Sequence, residues 1–170
     1  MRQSITLILL LSNFCLFSQT PDQNLVNAGI RLPLISPPVA SYVDVVQTGN
    51  LLFLAGKGPR TPDGSYIKGK SGADLSPEQS YNAAKQAAIN QLAVLKAYLG
   101  DLSKVKRIIK VNGFVNCIDS FEDQPRVMNG FSDLMLTVFG DAGKHARTSV
   151  GVNALPFNMA VEVEMVVEIK

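Results

Sequence analysis

The sequence predicts an α+β protein, a two-layer sandwich in which two helices cover one face of a mixed β-sheet. Two amphipathic segments, which end at Gly100 and Gly140, alternate with stretches rich in β-branched residues. The resulting order is two strands, a helix, a strand, a helix and two strands. Because each helix has one apolar face to bury, both helices are expected on the same face of the sheet.

The first 19 residues have the layout of a secretory signal. One positive charge, at Arg2, is followed by an apolar run and then by small polar residues. The alternative, a membrane anchor, needs roughly 20 predominantly apolar residues, and Ser12 and Asn13 interrupt the run before that length. We therefore expect a signal peptide over residues 1–19, a periplasmic or secreted protein, and no membrane contact after cleavage.

The remaining chain is expected to form one domain. Prolines at 21, 33, 37 and 38 predict that residues 20–30 are an extended lead-in rather than a helix, with the domain over residues 31–170. Two short apolar runs flank the turn pair Gly49-Asn50, which predicts a β-hairpin. Residues 59–76 are rich in Gly, Pro, Lys and Asp and are expected to be a loop.

The first predicted helix has the clearest local signals. Ser76 and Gln79 make a capping box, Pro77 suits the first turn, and Gly100 ends the helix. Its apolar residues recur at steps of three and four: Tyr81, Ala84, Ala88, Leu92, Leu95 and Leu99. The second helix shows the same pattern in Val127, Phe131, Leu134, Met135 and Val138.

The last segment, "KHARTSVGVNALPFNMAVEVEMVVEI", predicts two strands joined as a hairpin. Successive side chains of a strand point to opposite faces, so Arg147 and Ser149 share one face. In the final strand Glu162 and Glu164 lie opposite the valines. We expect the arginine and the carboxylates to meet on one side of this hairpin.

Apolar side chains on both faces of the strands predict self-association. One face carries Phe53, Ile108, Phe114 and Val166, the other carries Leu52, Ile109 and Val115, and the two helices cover only one of these faces. A contiguous apolar surface of this kind marks an interaction site. The simplest cover is another copy of the chain, packed through the sheet.

Composition excludes several classes of chemistry. The formal charge of +2, which falls to +1 without Arg2, and the dispersed lysines argue against nucleic-acid binding. His145 is the single histidine, and we interpret it as a loop residue; a serine-hydrolase triad or a zinc site needs more. Cys117, the one cysteine after the signal, is expected to be inert.

Arginine and carboxylate chemistry remains. Arg147 has a planar fork of donors that suits a carboxylate, and Glu162 is suited to activate a water molecule. From the pattern alone, a structural ion pair between Arg147 and a strand glutamate is the favoured interpretation.

Two stretches resemble the signatures of the RidA/YjgF family: "HARTSVGVNALPFNMAVEVE" and "PPVASYVDVV…LLFLAGKGP". The similarity covers residues 31–169. It implies a chorismate-mutase-like fold, a homotrimer with ligand clefts between subunits, and hydrolysis of reactive enamines and imines such as 2-aminoacrylate to 2-oxo acids and ammonia. It implies no cofactor and no metal.

The resemblance also implies roles for individual residues. Arg147 matches the arginine that binds a substrate carboxylate, and Glu162 matches the acidic residue that positions water. The remaining pocket positions are Tyr42, Ala55, Gly56, Asn129 and Ser149. Two of these pocket residues depart from the family pattern, since Ala55 replaces a serine and Ser149 stands where cysteine is frequent. The nearby Gly151 also departs, because it stands where glutamate is common.

Three functions follow as hypotheses. The first is an imine or enamine deaminase in a divergent, exported branch of the family. The second is a non-catalytic protein that binds a small carboxylate in the same clefts, which the missing serine at Ala55 favours. The third, an endoribonuclease, is disfavoured by the near-neutral charge.

Overall fold

A five-stranded mixed sheet forms one layer of the protein. The computed structural model describes residues 19–35 and 41–170. The strands are β1 (Val45–Thr48), β2 (Leu51–Lys57), β3 (Val105–Asn116), β4 (Ala146–Val152) and β5 (Val161–Ile169), in the order β1-β2-β5-β3-β4. β3 and β4 are parallel, and the other neighbours are antiparallel. The predicted α+β class and the hairpin at Gly49 are confirmed.

Two long helices form the second layer. α2 (Pro77–Leu99) begins with the predicted capping box and ends at Gly100, whose φ of 74° is left-handed. α3 (Gln124–Phe139) lies against it, with Gly130 touching the α2 backbone at Tyr81. A side chain at position 130 would hold the helices apart, so this glycine sets how α3, and the polar residues next to it, sit over the sheet.

A short helix occupies the segment predicted to be an extended lead-in. α1 (Pro21–Asn27) is capped by Thr20, with Pro21 in its first turn. Leu25 is 3% exposed and belongs to the core, and the Asn24 amide donates to the Val138 carbonyl at 2.9 Å. The prediction was wrong because a proline at the first helical position favours a helix start. The other prolines of that stretch lie beyond this helix.

The last two strands do not form a hairpin. β4 pairs in parallel with β3, and β5 lies on the other side of β3. The physical reason is the connection: the chain leaves β3, crosses through α3 and returns to run beside β3 in the same direction. The following loop then carries β5 past this pair to the centre of the sheet.

The two faces of the sheet differ in cover. The helix face carries the core, including Leu52, Val111, Val115, Val163 and Val167, each fully buried. On the open face, Val46, Phe53 and Val150 are 56%, 46% and 41% exposed. Within the described part of the chain, no helix is long and apolar enough to cross a membrane. The predicted signal peptide, residues 1–19, lies outside the described residues apart from Gln19 and stays a prediction.

Candidate functional site

Arg147 lies on the helix side of the sheet. Its register partner is the buried Val111, and neighbours in register share a face. The guanidinium reaches α3, where Nη1 donates to Asn129 Oδ1 at 3.0 Å and to Ser132 Oγ at 2.9 Å. Nη2 donates to the Pro125 carbonyl at 3.1 Å. Three acceptors from one helix therefore fix the orientation of the guanidinium plane.

The same guanidinium keeps capacity for a ligand. An arginine has five N–H donors, and three are used in hydrogen bonds with described residues. Burial lowers the pKa of Arg147, and the Asp133 carboxylate opposes that shift. Arginine remains charged at neutral pH even so. Two donors on a fixed cationic plane match the two oxygens of a carboxylate.

His145 joins this cluster, although the sequence had suggested only a loop residue. Its Nε2 lies 3.0 Å from Ser132 Oγ, and its Nδ1 lies 2.7 Å from the Gly143 carbonyl oxygen. Burial lowers the pKa of His145, the hydrogen bond to the Gly143 carbonyl raises it, and the charge of Arg147 lowers it. A cavity of about 360 Å³ is lined by Ser132, Leu136, Gly143, Lys144, His145 and Arg147. Nothing in the sequence indicated that Ser132 belongs to this cluster, because a polar residue within a helix can have many roles.

Ser149 and Gly151 continue the Arg147 face along β4. The Ser149 hydroxyl is buried and has no hydrogen-bond partner among the described residues. A Cβ at position 151 would lie 2.7 Å from Cys117 Sγ and 3.0 Å from Gln124 Nε2. A glutamate here would therefore displace both neighbours, and the glycine leaves a separate cavity of about 280 Å³.

Glu162 lies on the open face of the sheet. Its register partner on β3 is Phe114, which points away from the helices. The carboxyl lies directly against Gly56, where an added Cβ would overlap Oε1. Burial raises the pKa of Glu162, Glu164 raises it further, and Lys57 lowers it. A half-buried carboxylate of raised pKa is a stronger base than an exposed one.

A β-bulge shapes the backbone beside Glu162. The pairing of β2 with β5 shifts register between Leu54 and Lys57, which places Ala55 and Gly56 in the irregular stretch. The buried Gln91 reaches from α2 and donates to the carbonyls of Ala55 and Val163, at 3.0 and 2.6 Å. Gln91 was not predicted from the sequence. A single polar residue on the buried side of a helix gives no sign that it will hydrogen-bond to the backbone of a β-bulge.

The other predicted pocket positions divide between the two faces. Asn129 contacts Arg147 directly, whereas Ala55 and Gly56 lie with Glu162. Tyr42 precedes β1, is 54% exposed, and its hydroxyl makes no hydrogen bond with the described residues. In the described part of the chain no cluster of three His, Cys, Asp or Glu could hold a metal ion.

Arg147 and Glu162 therefore lie on opposite faces of one sheet. β3 separates their strands, and Arg147 aligns with Val111 while Glu162 aligns with Phe114. Positions 111 and 114 of one strand point to opposite sides. The prediction that the arginine and the carboxylates meet on one side of a hairpin is wrong, because it assumed that β4 and β5 are neighbours.

Comparison with known proteins bears on both fold and site. The family model described as "YjgF/chorismate mutase-like, putative endoribonuclease" matches residues 22–169. Protein TCP17 of Trypanosoma cruzi is 44% identical over 86% of this chain and 92% of its own length. A 2-iminobutanoate/2-iminopropanoate deaminase of Dermatophagoides farinae is 30% identical over 83% of this chain and 95% of its own.

A solved structure agrees with this assignment. The crystal structure of Atu1372, a protein of unknown function from Agrobacterium tumefaciens, superposes with a TM-score of 0.82. It is 41% identical and covers 89% of this chain and 94% of its own. Because the family model spans nearly all of the described residues and curated relatives match over most of their length, the chain belongs to the YjgF/RidA family.

Proposed function

We propose that the protein hydrolyses carboxylate-bearing enamines and imines to 2-oxo acids and ammonia. The observation that carries this is the guanidinium of Arg147, which α3 holds through three acceptors and which keeps two N–H donors for a substrate carboxylate. The related deaminase from Dermatophagoides farinae acts, by its name, on imines of this class. No cofactor is part of the proposal.

Glu162 supplies the base in the proposed reaction. Its carboxylate takes a proton from a water molecule whose oxygen attacks the imine carbon, so that a C–O bond forms and the C=N electron pair moves to nitrogen. Protonation of that nitrogen and cleavage of the C–N bond then release ammonia and leave the 2-oxo acid. The raised pKa of Glu162, caused first by burial, favours proton uptake.

Two copies of the chain are required to bring the arginine and the glutamate together. Each protomer presents Arg147 on the helix side and Glu162 on the open face. We propose a homotrimer in which the open face of one subunit packs near the β4 edge of the next. The exposed Val46, Phe53 and Val150 support this arrangement, since such apolar area on a sheet marks an association surface.

The remaining pocket positions line the proposed inter-subunit cleft. Asn129 orients Arg147, Gly56 leaves room for the Glu162 carboxyl, and Ser149 lies on the Arg147 face with a buried hydroxyl that has no partner among the described residues. The exposed ring of Tyr42 packs against the substrate in this proposal. The ligand is a small carboxylate, not nucleic acid.

A second candidate is a protein that binds such carboxylates without turnover. The observation that favours it is Ala55, which offers no hydroxyl beside Glu162. The two functions differ in one respect. The binder takes up a stable 2-oxo acid at Arg147 but leaves the hydrolysis rate of an imine unchanged.

Steady-state formation of 2-oxo acid from freshly generated 2-iminobutanoate tests the enzyme. Residues 20–170 should accelerate hydrolysis above the solvent rate, and Arg147→Ala should lose at least about a hundredfold in kcat/KM, because two charge-assisted hydrogen bonds disappear. Arg126→Ala is the matched control, since Arg126 is an exposed arginine of the same helix as the Arg147 acceptors. Wild type at the solvent rate, with 2-oxobutanoate still bound, would leave only the binder.

We also propose that the protein is exported and that residues 1–19 are removed on the way. The layout of the first residues supports this. Intact-mass measurement of the protein from the periplasm or medium of an expressing bacterium should give a chain that starts near residue 20. A full-length chain confined to the cytosol contradicts export and leaves the enzymatic proposal untouched.

A further inference from the structure

A continuous set of hydrogen bonds links Arg147 to the loop before β4. From the Gly143 carbonyl it runs to His145 Nδ1 at 2.7 Å, from His145 Nε2 to Ser132 Oγ at 3.0 Å, and from Ser132 Oγ to Arg147 Nη1 at 2.9 Å. Gly143 is itself pressed against the α3 backbone near Met135. The set therefore begins at a fixed point of the backbone and ends at the guanidinium.

The chemistry of the four groups gives these bonds a direction. A carbonyl only accepts, so His145 carries its proton on Nδ1. A neutral imidazole with Nδ1–H accepts at Nε2, which makes the Ser132 hydroxyl the donor to it. The Ser132 oxygen then has its lone pairs free to accept from Arg147. Each donor in this series of hydrogen bonds therefore has an acceptor.

The surroundings keep His145 neutral. Burial lowers its pKa below the ordinary value near 6.5, the hydrogen bond to the Gly143 carbonyl opposes that shift, and the positive charge of Arg147 adds to it. Lys144 is paired with Asp141 at 2.7 Å on the exposed side, and Asp133 on α3 accepts from the Tyr81 hydroxyl. The Phe131 ring meets the imidazole edge-on, with centroids 6.5 Å apart, which fixes the ring plane.

We propose that Ser132 and His145 are positioning residues that hold the Arg147 guanidinium in the orientation that accepts a ligand carboxylate. This rests on the proposed function for its ligand. The hydrogen bonds from Gly143 through His145 and Ser132 to Arg147, here called the relay, are present in the ligand-free protein. Asn129 and Pro125 hold the guanidinium from the exposed side of α3. Ser132 is the acceptor on the buried side, and His145 orients the Ser132 hydroxyl so that its lone pairs face the arginine.

The first test reads the relay without any ligand. The chain has one histidine, so long-range ¹H–¹⁵N correlation spectra of untagged protein give the imidazole state without ambiguity. At pH 7.5 the spectra should show a neutral ring protonated on Nδ1. They should also show Arg147 Nη signals, assigned by their loss in Arg147→Ala, that are resolved in wild type and averaged in Ser132→Ala. An Nε2–H ring, or unchanged Arg147 signals in Ser132→Ala, overturns the proposal.

The second test reads the consequence for binding. Calorimetry with 2-oxobutanoate should show an affinity loss of about tenfold in Ser132→Ala, the effect of one hydrogen bond to a charged group. Ser132→Thr, which keeps the hydroxyl, should restore most of it. Thr137→Ala is the matched control, because Thr137 is an exposed α3 hydroxyl bonded to the Asp133 carbonyl. Wild-type affinity in Ser132→Ala contradicts the positioning role.

Variants of His145 separate hydrogen bonding from packing. His145→Phe keeps a ring against Phe131 but drops both hydrogen bonds, and it should lose affinity as Ser132→Ala does. His145→Gln keeps an acceptor for the Ser132 hydroxyl and should stay within about threefold of wild type. Equal affinities for these two variants overturn the relay. If wild type fails to bind 2-oxobutanoate, the proposed function fails, and the spectra of the ligand-free protein still decide the relay.

Discussion

Arg147 on the helix side of the sheet and Glu162 on the open face differ in what controls them. Arg147 is held by three hydrogen bonds that it donates to acceptors on α3 of its own chain. Glu162 is controlled by burial against Gly56 and by the charges of Glu164 and Lys57, on a face that remains partly exposed. One chain therefore orients a cation fully but leaves its candidate base beside an uncovered surface.

If the proposed function holds, this difference separates ligand binding from turnover. The donors proposed to bind a carboxylate are oriented within one chain. The proposed turnover also requires Glu162, which in that proposal a second copy brings to the same ligand. The largest expected effects therefore fall on turnover, smaller ones on assembly, and the smallest on ligand binding.

Removing the base should give the largest effect. Glu162→Gln should lower kcat for 2-iminobutanoate by roughly 10²–10⁴, because the amide cannot accept the proton of the attacking water. Binding of 2-oxobutanoate should be unchanged. Glu168→Gln is the matched control, since Glu168 lies on the same strand and face but pairs with Lys106. If Glu162→Gln and Glu168→Gln have the same kcat, Glu162 is not the base.

Covering the open face should be required for activity. Phe53→Asp places a charge in the exposed apolar patch and should convert the assembly to monomers in sedimentation velocity, with loss of turnover. Affinity for 2-oxobutanoate at Arg147 should fall far less. Val26→Asp, at an exposed apolar position of α1, should change neither property. A monomeric wild type with full turnover contradicts the shared site.

Lowering the pH should abolish turnover, because Glu162 becomes protonated. Burial and Glu164 raise its pKa above the ordinary value of 4.5, so the carboxylate form is lost as the pH falls through that raised value. The profile of kcat/KM against pH should show an acid limb with a midpoint above 4.5. Measurements with Lys57→Met should move this midpoint upward, because Lys57 lowers the pKa of Glu162. A downward shift or none contradicts this account of Glu162.

The mildest effect is expected at Asn129. Asn129→Ala removes one of three acceptors of Arg147, while Ser132 and the Pro125 carbonyl remain. A single hydrogen bond is worth about 1 kcal/mol, so the Kd for 2-oxobutanoate should rise roughly fivefold by calorimetry. Ser132→Ala, measured in the same assay, is the comparison. A larger loss of affinity in Asn129→Ala than in Ser132→Ala contradicts the expectation that Ser132 contributes more.

The local elements were predictable because their signals are local. The capping box at Ser76 and Gln79, the turn at Gly49 and the stop at Gly100 each depend on a few neighbouring residues. The strand alternation around Arg147 and around Glu162 was also correct within each strand. The helix at 21–27 was not predicted, because the four prolines of this stretch were all taken as helix breakers. Pro21 lies in the first turn, where a helix tolerates proline.

Nonlocal pairing escaped prediction. Two strands adjacent in sequence suggested a hairpin, but β3 lies between them. The registers of β4 and β5 against β3 place Arg147 and Glu162 on opposite faces. Gln91 and Ser132 gave no signal, since each is a single polar residue in a helix whose partner comes from a distant strand or loop. Burial of a polar group becomes visible only when its partner is known.

The sequence predicts the α+β class, the position of most helices and strands, and two candidate residues for carboxylate chemistry, Arg147 and Glu162. These follow from side-chain periodicity, capping and the fixed chemistry of guanidinium and carboxyl groups. The three-dimensional arrangement alone places those residues on opposite faces of the sheet and connects His145 to Arg147 through Ser132. Strand order and helix docking set these relations, because both depend on contacts between residues far apart in the chain.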